Sequence, residues 1–309
     1  MHKKYLLTGL AILALSLPVT AQTWADLFAQ HVVLNRHEQE YIKARMHVIT
    51  KQYQAFTAGK APIIVAPEIT AIAIEENHDP LIDIKTTTST RIQMLPDPAT
   101  PFASPTHNSG TKNCSKIRAG LYYRLSLMVK HLDKLAPRFG YKPEQISIKV
   151  FEGLRDLETQ AMIFEHKSAR IRKEYPDWTA EQIYTETCKW VSPVKNNIPV
   201  HATGGAVDIR LWDTTTDSLL DMGTFGAAWG SNPTAPTFSE DISDAQKNNR
   251  LFCLMAANRA DLTNYVYEFW HFSCNDRYAA YWLHETYGTT PVVARFGACK
   301  ADTAPRSRL

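Results

Sequence analysis

The stretch His201-Ala202-Thr203-Gly204-Gly205-Ala206-Val207-Asp208-Ile209-Arg210-Leu211-Trp212 decides how the rest of the chain reads. Histidine and aspartate are both good ligands for a borderline cation such as zinc. The small, glycine-rich turn between them lets the backbone fold tightly, so that both side chains can point inward. Pro199 frames the turn on one side, and the β-branched run Val207–Trp212 predicts a strand on the other. An isolated pair at this spacing reads as a solvated loop histidine and a turn aspartate. Two further segments change that balance.

The first is Glu268-Phe269-Trp270-His271-Phe272. Alone it reads as an aromatic core strand with a satisfied histidine. Beside His201 and Asp208, however, His271 completes a His/Asp/His set with a fourth position open, the mark of a catalytic rather than a structural zinc site. Glu268 then stands three residues before a ligand, where it can serve as general base on a metal-activated water, and the aromatic residues around it would dry the site. The second segment is Phe151-Glu152-Gly153-Leu154-Arg155, at a strand-to-helix junction. A guanidinium there can stabilise the oxyanion of a tetrahedral intermediate, although a lone arginine in such a place also reads as a surface turn cap.

Around these segments the chain is ordinary globular material, 309 residues with 44% hydrophobic and 21% charged. That composition excludes a disordered, collagen-like or coiled-coil architecture. A net charge of +3 is too weak a bias to indicate a nucleic-acid partner. Helical spacing is expected over Gln22–Gly59, Cys114–Leu135, Arg155–Tyr175 and Ala245–Arg259. Extended runs are expected at Ile63–Ala66, Ile69–Ile74, Pro80–Ile84, Ile146–Phe151, Val207–Trp212 and the aromatic Tyr265–Ser273. Pro96–Asn113 has loop composition, and Ala301–Leu309 reads as a tail. Helices and strands mix without regular βαβ alternation, so the expected fold class is α+β.

Met1–Ala21 reads as a secretory signal peptide. Lys3 and Lys4 form the basic region, Tyr5–Leu17 the apolar one, and Val19 and Ala21 stand at −3 and −1 before Gln22. The apolar run is too short to span a bilayer comfortably. The expectation is therefore an exported, periplasmic or secreted chain with no stable membrane insertion after cleavage. The domain reading is a signal peptide over 1–21, a helical extension over 22–60, a catalytic domain over 61–300 and a tail over 301–309. In an oxidising compartment the five cysteines, Cys114, Cys188, Cys253, Cys274 and Cys299, would form up to two disulfides. Cys274, three residues after His271, is a competing thiolate ligand in principle.

In this order and with these gaps, the three segments resemble the D-alanyl-D-alanine dipeptidases of the vancomycin-resistance type. These belong to the zinc D,D-peptidase superfamily that shares its fold with the hedgehog signalling domain. The family's HxxGxAxD pattern is matched by His201, Gly204, Ala206 and Asp208, and its Glu-Trp-Trp-His motif by Glu268-Phe269-Trp270-His271. Its arginine segment is matched by Glu152-Gly153-Leu154-Arg155. Leu220-Asp221-Met222-Gly223-Thr224, Asn249-Arg250-Leu251 and Asp276-Arg277-Tyr278 resemble the dipeptidase branch, and the likeness spans about Ile69 to Tyr281.

The resemblance implies a central, mostly antiparallel sheet flanked by helices, and one zinc ion per chain at His201, Asp208 and His271. It implies Glu268 as base and later proton donor, with Arg155 on the oxyanion. The implied reaction is hydrolysis of the D-Ala-D-Ala dipeptide in cell-wall peptide metabolism. The alternative is a D,D-carboxypeptidase or endopeptidase acting on peptidoglycan stem peptides. Two departures bear on that choice. Thr224 runs into Phe225-Gly226-Ala227-Ala228, where the family has an acid for the substrate's ammonium, and Pro199 stands where the family has a serine.

Overall fold

The computed structural model describes residues 21–32, 36–95, 113–223 and 232–300. The basic and apolar regions of the expected signal peptide, nearly all of the Pro96–Asn113 loop and the tail from Ala301 lie outside the described residues. Two helices come first, α1 (Trp24–Val32) and α2 (Arg36–Thr57), then the single-turn α3 (Pro67–Thr70). Strands β1 (Ala73–Ile74), β2 (Leu81–Asp83), β3 (Ile92–Met94) and β4 (Lys116–Arg118) follow, then helix α4 (Ala119–Leu135) and strand β5 (Ile146–Glu152). Helices α5 (Leu157–Glu174) and α6 (Ala180–Trp190) lead to β6 (Ala206–Asp213) and β7 (Ser218–Leu219). The chain continues through α7 (Asp244–Arg259), β8 (Thr263–Asn264), β9 (His271–Ser273), α8 (Arg277–Tyr287) and β10 (Val293–Ala294).

The main sheet has the order β3-β5-β6-β9-β8, with β7 also paired to β6. Only β3 and β5 run parallel; every other pair in it is antiparallel. Helix and sheet therefore mix as the α+β reading expects. The two central strands show why the sheet is a core. On β5, Ile146, Ile148 and Val150 are buried, as are Val207, Ile209 and Leu211 on β6, and all six join Leu121, Leu125, Met128 and Leu251 in one cluster under α4 and α7. The two-residue period of a strand turns Asp208 and Arg210 to the opposite face. That face carries the chemistry.

The structure redraws several sequence expectations. The helix expected from Cys114 begins only at Ala119, because Lys116–Arg118 pairs with Leu81–Asp83 as β4. Arg118 fixes that pairing: its backbone N–H donates to the Gly204 carbonyl, and its guanidinium holds the carbonyls of Asp79 and Thr203. Of the expected strand Tyr265–Ser273, only His271–Ser273 is extended. The rest is a turn in which the Glu268 N–H donates to the Tyr265 carbonyl and the Phe269 N–H to the Ala235 carbonyl. Of the runs Ile63–Ala66 and Ile69–Ile74, only Ala73–Ile74 is strand, since Pro67 at its first turn starts α3. Helices α6 and α8 are additional; Thr179 with Gln182 caps the first in a reciprocal box, and Asp276 caps the second. No disulfide joins the described cysteines, where up to two are expected; Cys188, Cys253 and Cys274 are buried at separate places in the fold. Among the described residues no helix is long and apolar enough to cross a membrane.

Helices α1 and α2 belong to the main core, since Trp24, Leu27, Met46 and Ile49 sit in the same cluster as the sheet residues. Trp24 is fully buried against Phe28 and Phe238, and its indole N–H donates to the Ser239 carbonyl at 3.0 Å. Trp24→Ala is therefore expected to cost about 3–5 kcal/mol of unfolding free energy, measured by urea denaturation. An unchanged midpoint would mean that α1 does not contribute to the core.

Candidate metal centre and active site

His201 sits in a short 3-10 turn, Val200–Thr203, immediately before β6. Two glycines make the turn possible. Gly204 takes the left-handed conformation at φ +68°, and a side chain on Gly205 would run into Phe296 and the Cys274 carbonyl. Asp208 is the third residue of β6 and pairs across the antiparallel ladder with His271, the first residue of β9.

Three ligating atoms converge. His201 Nε2 lies 3.1 Å from His271 Nδ1, which lies 3.1 Å from Asp208 Oδ1, and the third edge, His201 Nε2 to Asp208 Oδ1, is 3.4 Å. All three residues are buried. Ligands about 2.0–2.1 Å from a tetrahedral zinc lie roughly 3.3 Å apart, so the triangle has the size that ion requires. Its chemistry agrees. The Gly153 carbonyl, 2.9 Å from His201 Nδ1, requires a proton on that nitrogen and so leaves the Nε2 lone pair facing the other two acceptors. These are the only described histidine, cysteine or acidic side chains grouped closely enough to hold a metal. Cys274 is outside the group, and burial pushes its thiol up to about 12.

The charges around the triangle are strongly displaced. Burial pushes Asp208 up, but the facing His201 and His271 rings outweigh it and hold the carboxyl well below its usual range. Burial lowers His271 in spite of Asp208. Glu268, whose Oε2 lies 3.9 Å from His271 Nδ1, is pushed well above the usual carboxylate range by burial and by the charge of Asp208. Arg155 and Lys167 oppose that rise.

Glu268 is held by its turn. The Asn264 side-chain amide donates to the carbonyls of both Glu268 and His271, at 3.1 and 2.9 Å, and Thr237 Oγ1 donates to Asn264 Oδ1 at 2.6 Å. Phe269 is packed between two cations, with the Arg250 guanidinium 3.8 Å and that of Arg210 5.3 Å from its ring centre. Arg155 lies just before α5. Its backbone N–H donates to the His201 carbonyl, Nη1 donates to Gln160 Oε1 at 2.9 Å, and Nε faces Glu152 at 3.5 Å. Arg155, Gln160 and Glu268 line one pocket with the His201, Asp208 and His271 triangle.

All five residues singled out in the sequence, His201, Asp208, His271, Glu268 and Arg155, line this one pocket. Several others escaped sequence reading. Gln160, five residues after Arg155 on α5, orients its guanidinium; that spacing is the available signal. Trp190 and Cys188 reach the pocket from α6, a helix beyond those expected from the sequence. Lys167 is almost fully buried, its ammonium 5.3 Å over the Trp190 ring, and burial pushes it down to about 7. No local pattern marks it. Glu240, Asp241 and Asp244, the acids nearest in sequence to the loop without one, do not line the pocket; Glu240 is paired with Lys247.

Residues 150–292 match a family model described as D-ala-D-ala dipeptidase. No curated protein matches the chain. The matched stretch holds all five residues of the site and belongs to the D-ala-D-ala dipeptidase family, within the zinc D,D-peptidase superfamily; it is a peptidase stretch, as the motifs imply.

The donor set leads to a direct test. Metal-free protein is expected to take up one equivalent of zinc and to melt at a higher temperature with zinc present, as for any ligand that binds only the folded state. Glu268→Ala should retain the full equivalent in metal analysis and His271→Ala should lose it. Full retention by His271→Ala would place the third ligand elsewhere.

Proposed function

We propose that the chain is a zinc-dependent hydrolase of the D-Ala-D-Ala dipeptide, exported to the periplasm and acting in cell-wall peptide metabolism. We assign it the hedgehog-like version of the D,D-peptidase fold. The observation that carries the reading is the convergence of His201, Asp208 and His271 with Glu268 and Arg155 in one buried pocket. Zinc held by the three ligands supplies Lewis acidity and makes a water acidic enough to be deprotonated near neutral pH.

The chain's own residues do the rest. The Glu268 carboxylate takes the proton from the attacking water and later hands it to the leaving amine. Its raised proton affinity suits the second half of that task. Arg155 donates to the carbonyl oxygen as it gains charge. The guanidinium is fixed for this by Gln160 and Glu152, and it is rigid and planar, so little reorganisation accompanies the change. Phe269 and Trp270, both buried, exclude bulk water around Glu268 and thereby strengthen these charge effects.

One observation favours a second reading, a carboxypeptidase or endopeptidase acting on stem peptides. A free dipeptide brings an ammonium that is costly to bury unpaired. Among the described residues the acids lining the pocket are Asp208 and Glu268, both assigned to the reaction, and the sequence holds no acid from Thr224 to Ser239.

D-alanine release by the zinc-loaded protein from free D-Ala-D-Ala and from a pentapeptide stem, run side by side with Glu268→Ala as blank, separates the two. Preference for the dipeptide supports the first reading, preference for the stem supports the second, and release from neither rejects both. Arg155→Ala is expected to lower kcat by about 10²–10³ with zinc content unchanged, the usual loss for a missing oxyanion donor. A kcat within threefold of the parent would remove Arg155 from that role.

A further inference from the structure

The three residues that follow the expected cleavage site are held by the body of the protein. The Gln22 backbone nitrogen lies 3.1 Å from Asp244 Oδ1, at the start of α7, and Lys247 Nζ donates to the Gln22 carbonyl at 3.2 Å. The Gln22 side-chain amide donates to Gln30 Oε1 at 2.6 Å. Thr23 caps α1, exchanging hydrogen bonds with Asp26, and Trp24 is the buried anchor described above.

The other charges nearby are already engaged. Asp26 accepts from the Thr23 backbone and hydroxyl, and Glu240 is paired with Lys247. Asp244 is therefore the carboxylate aimed at the Gln22 nitrogen. In an uncut chain that nitrogen is an amide with a single neutral N–H. Separately, the sequence places small residues at −3 and −1 before it.

We propose that hydrolysis of the Ala21–Gln22 peptide bond by a signal peptidase creates an α-ammonium on Gln22 that docks on the Asp244 carboxylate. Water adds across the bond, leaving a carboxylate on Ala21 and an amine on Gln22 that takes up a proton. The neutral hydrogen bond to Asp244 becomes a charge-assisted one, roughly twice as strong. Cleavage thereby tightens the anchor of α1, whose Trp24 holds the Ser239 carbonyl two residues from Thr237, the residue that supports Asn264 behind Glu268. An exposed N-terminal glutamine can instead cyclise, its amine attacking its own side-chain carbonyl and expelling ammonia. Here that side chain is engaged with Gln30.

The test uses the protein purified from the periplasm after export. Intact mass and N-terminal sequencing should give a chain starting at Gln22 with no loss of ammonia. Acetylating the α-amine at a pH where lysines stay protonated should lower the melting temperature by about 1–3 °C, the scale of one exposed to half-buried ion pair in a chain this size. The same acetylation of Asp244→Asn should cause no shift. A different first residue, a cyclised glutamine, or an equal acetylation effect in both backgrounds would overturn the proposal.

Discussion

The pairing of Asp208 with His271 across β6 and β9 is the constraint on which the rest of the structure depends. A one-residue slip of either strand would turn its ligand to the opposite face, among Val207, Ile209 and Leu211. The core side of β6 is therefore what holds the metal side in register. The arrangement also carries an electrostatic demand. Three acceptor lone pairs within 3.4 Å of one another, all removed from water, are unfavourable unless a cation neutralises them. A cation bound there would therefore be coupled to folding, each stabilising the other. The buried Asp208 charge is tolerated because two imidazoles face it, and it in turn raises the proton affinity of Glu268.

What the sequence made legible follows from how local each signal is. His201 to Asp208 is one turn and one strand, and its chemistry, spacing and glycines all lie within eight residues. Val207–Trp212 and Ile146–Phe151 were readable as strands because their alternating residues all enter one core. The turn at Tyr265–Trp270 was not. Its aromatic residues look β-prone, and what bends it is long-range: Phe269 is clamped by Arg210 and Arg250, and its backbone is bonded to Ala235. The late start of α4 has the same origin, because Lys116–Arg118 has helical spacing but is drawn into pairing with Leu81–Asp83. Lys167 is the extreme case, a lysine on a helix that only the packing of α5 on α6 buries.

The first two helices look from the sequence like an addition to the catalytic body. Their contacts reach the turn that carries Glu268. Gln52 on α2 donates to the Asn264 carbonyl at 2.8 Å, and Asn264 is the residue whose amide holds the carbonyls of Glu268 and His271. Tyr267, one residue before Glu268, donates through its hydroxyl to the Ala61 carbonyl just after α2. Trp24 on α1 reaches the same turn through Ser239 and Thr237. Any reactive group placed at Glu268 would need to be held to a fraction of an ångström. These helices supply part of the rigidity around this one.

Arg250 joins the Glu268 turn to the segment where the sequence departs from the family pattern. Its Nε donates to the Met222 carbonyl, and its terminal nitrogens donate to those of Thr234, Pro236 and Thr237. One guanidinium therefore ties Met222 to Thr234, Pro236 and Thr237, on either side of residues 224–231, while it lies over the Phe269 ring beside Glu268. Burial lowers Arg250 only to about 9, so it stays charged at neutral pH and keeps all of these acceptors satisfied. Each of these bonds is accepted by a backbone carbonyl, so the anchoring does not depend on the side chains of the sequence from Met222 to Thr237. That stretch is where the sequence departs from the dipeptidase pattern by lacking an acid. The ligand register and this departure therefore lie in different parts of the chain: the first is fixed by the core, and the second lies in a segment whose flanking carbonyls are held by Arg250.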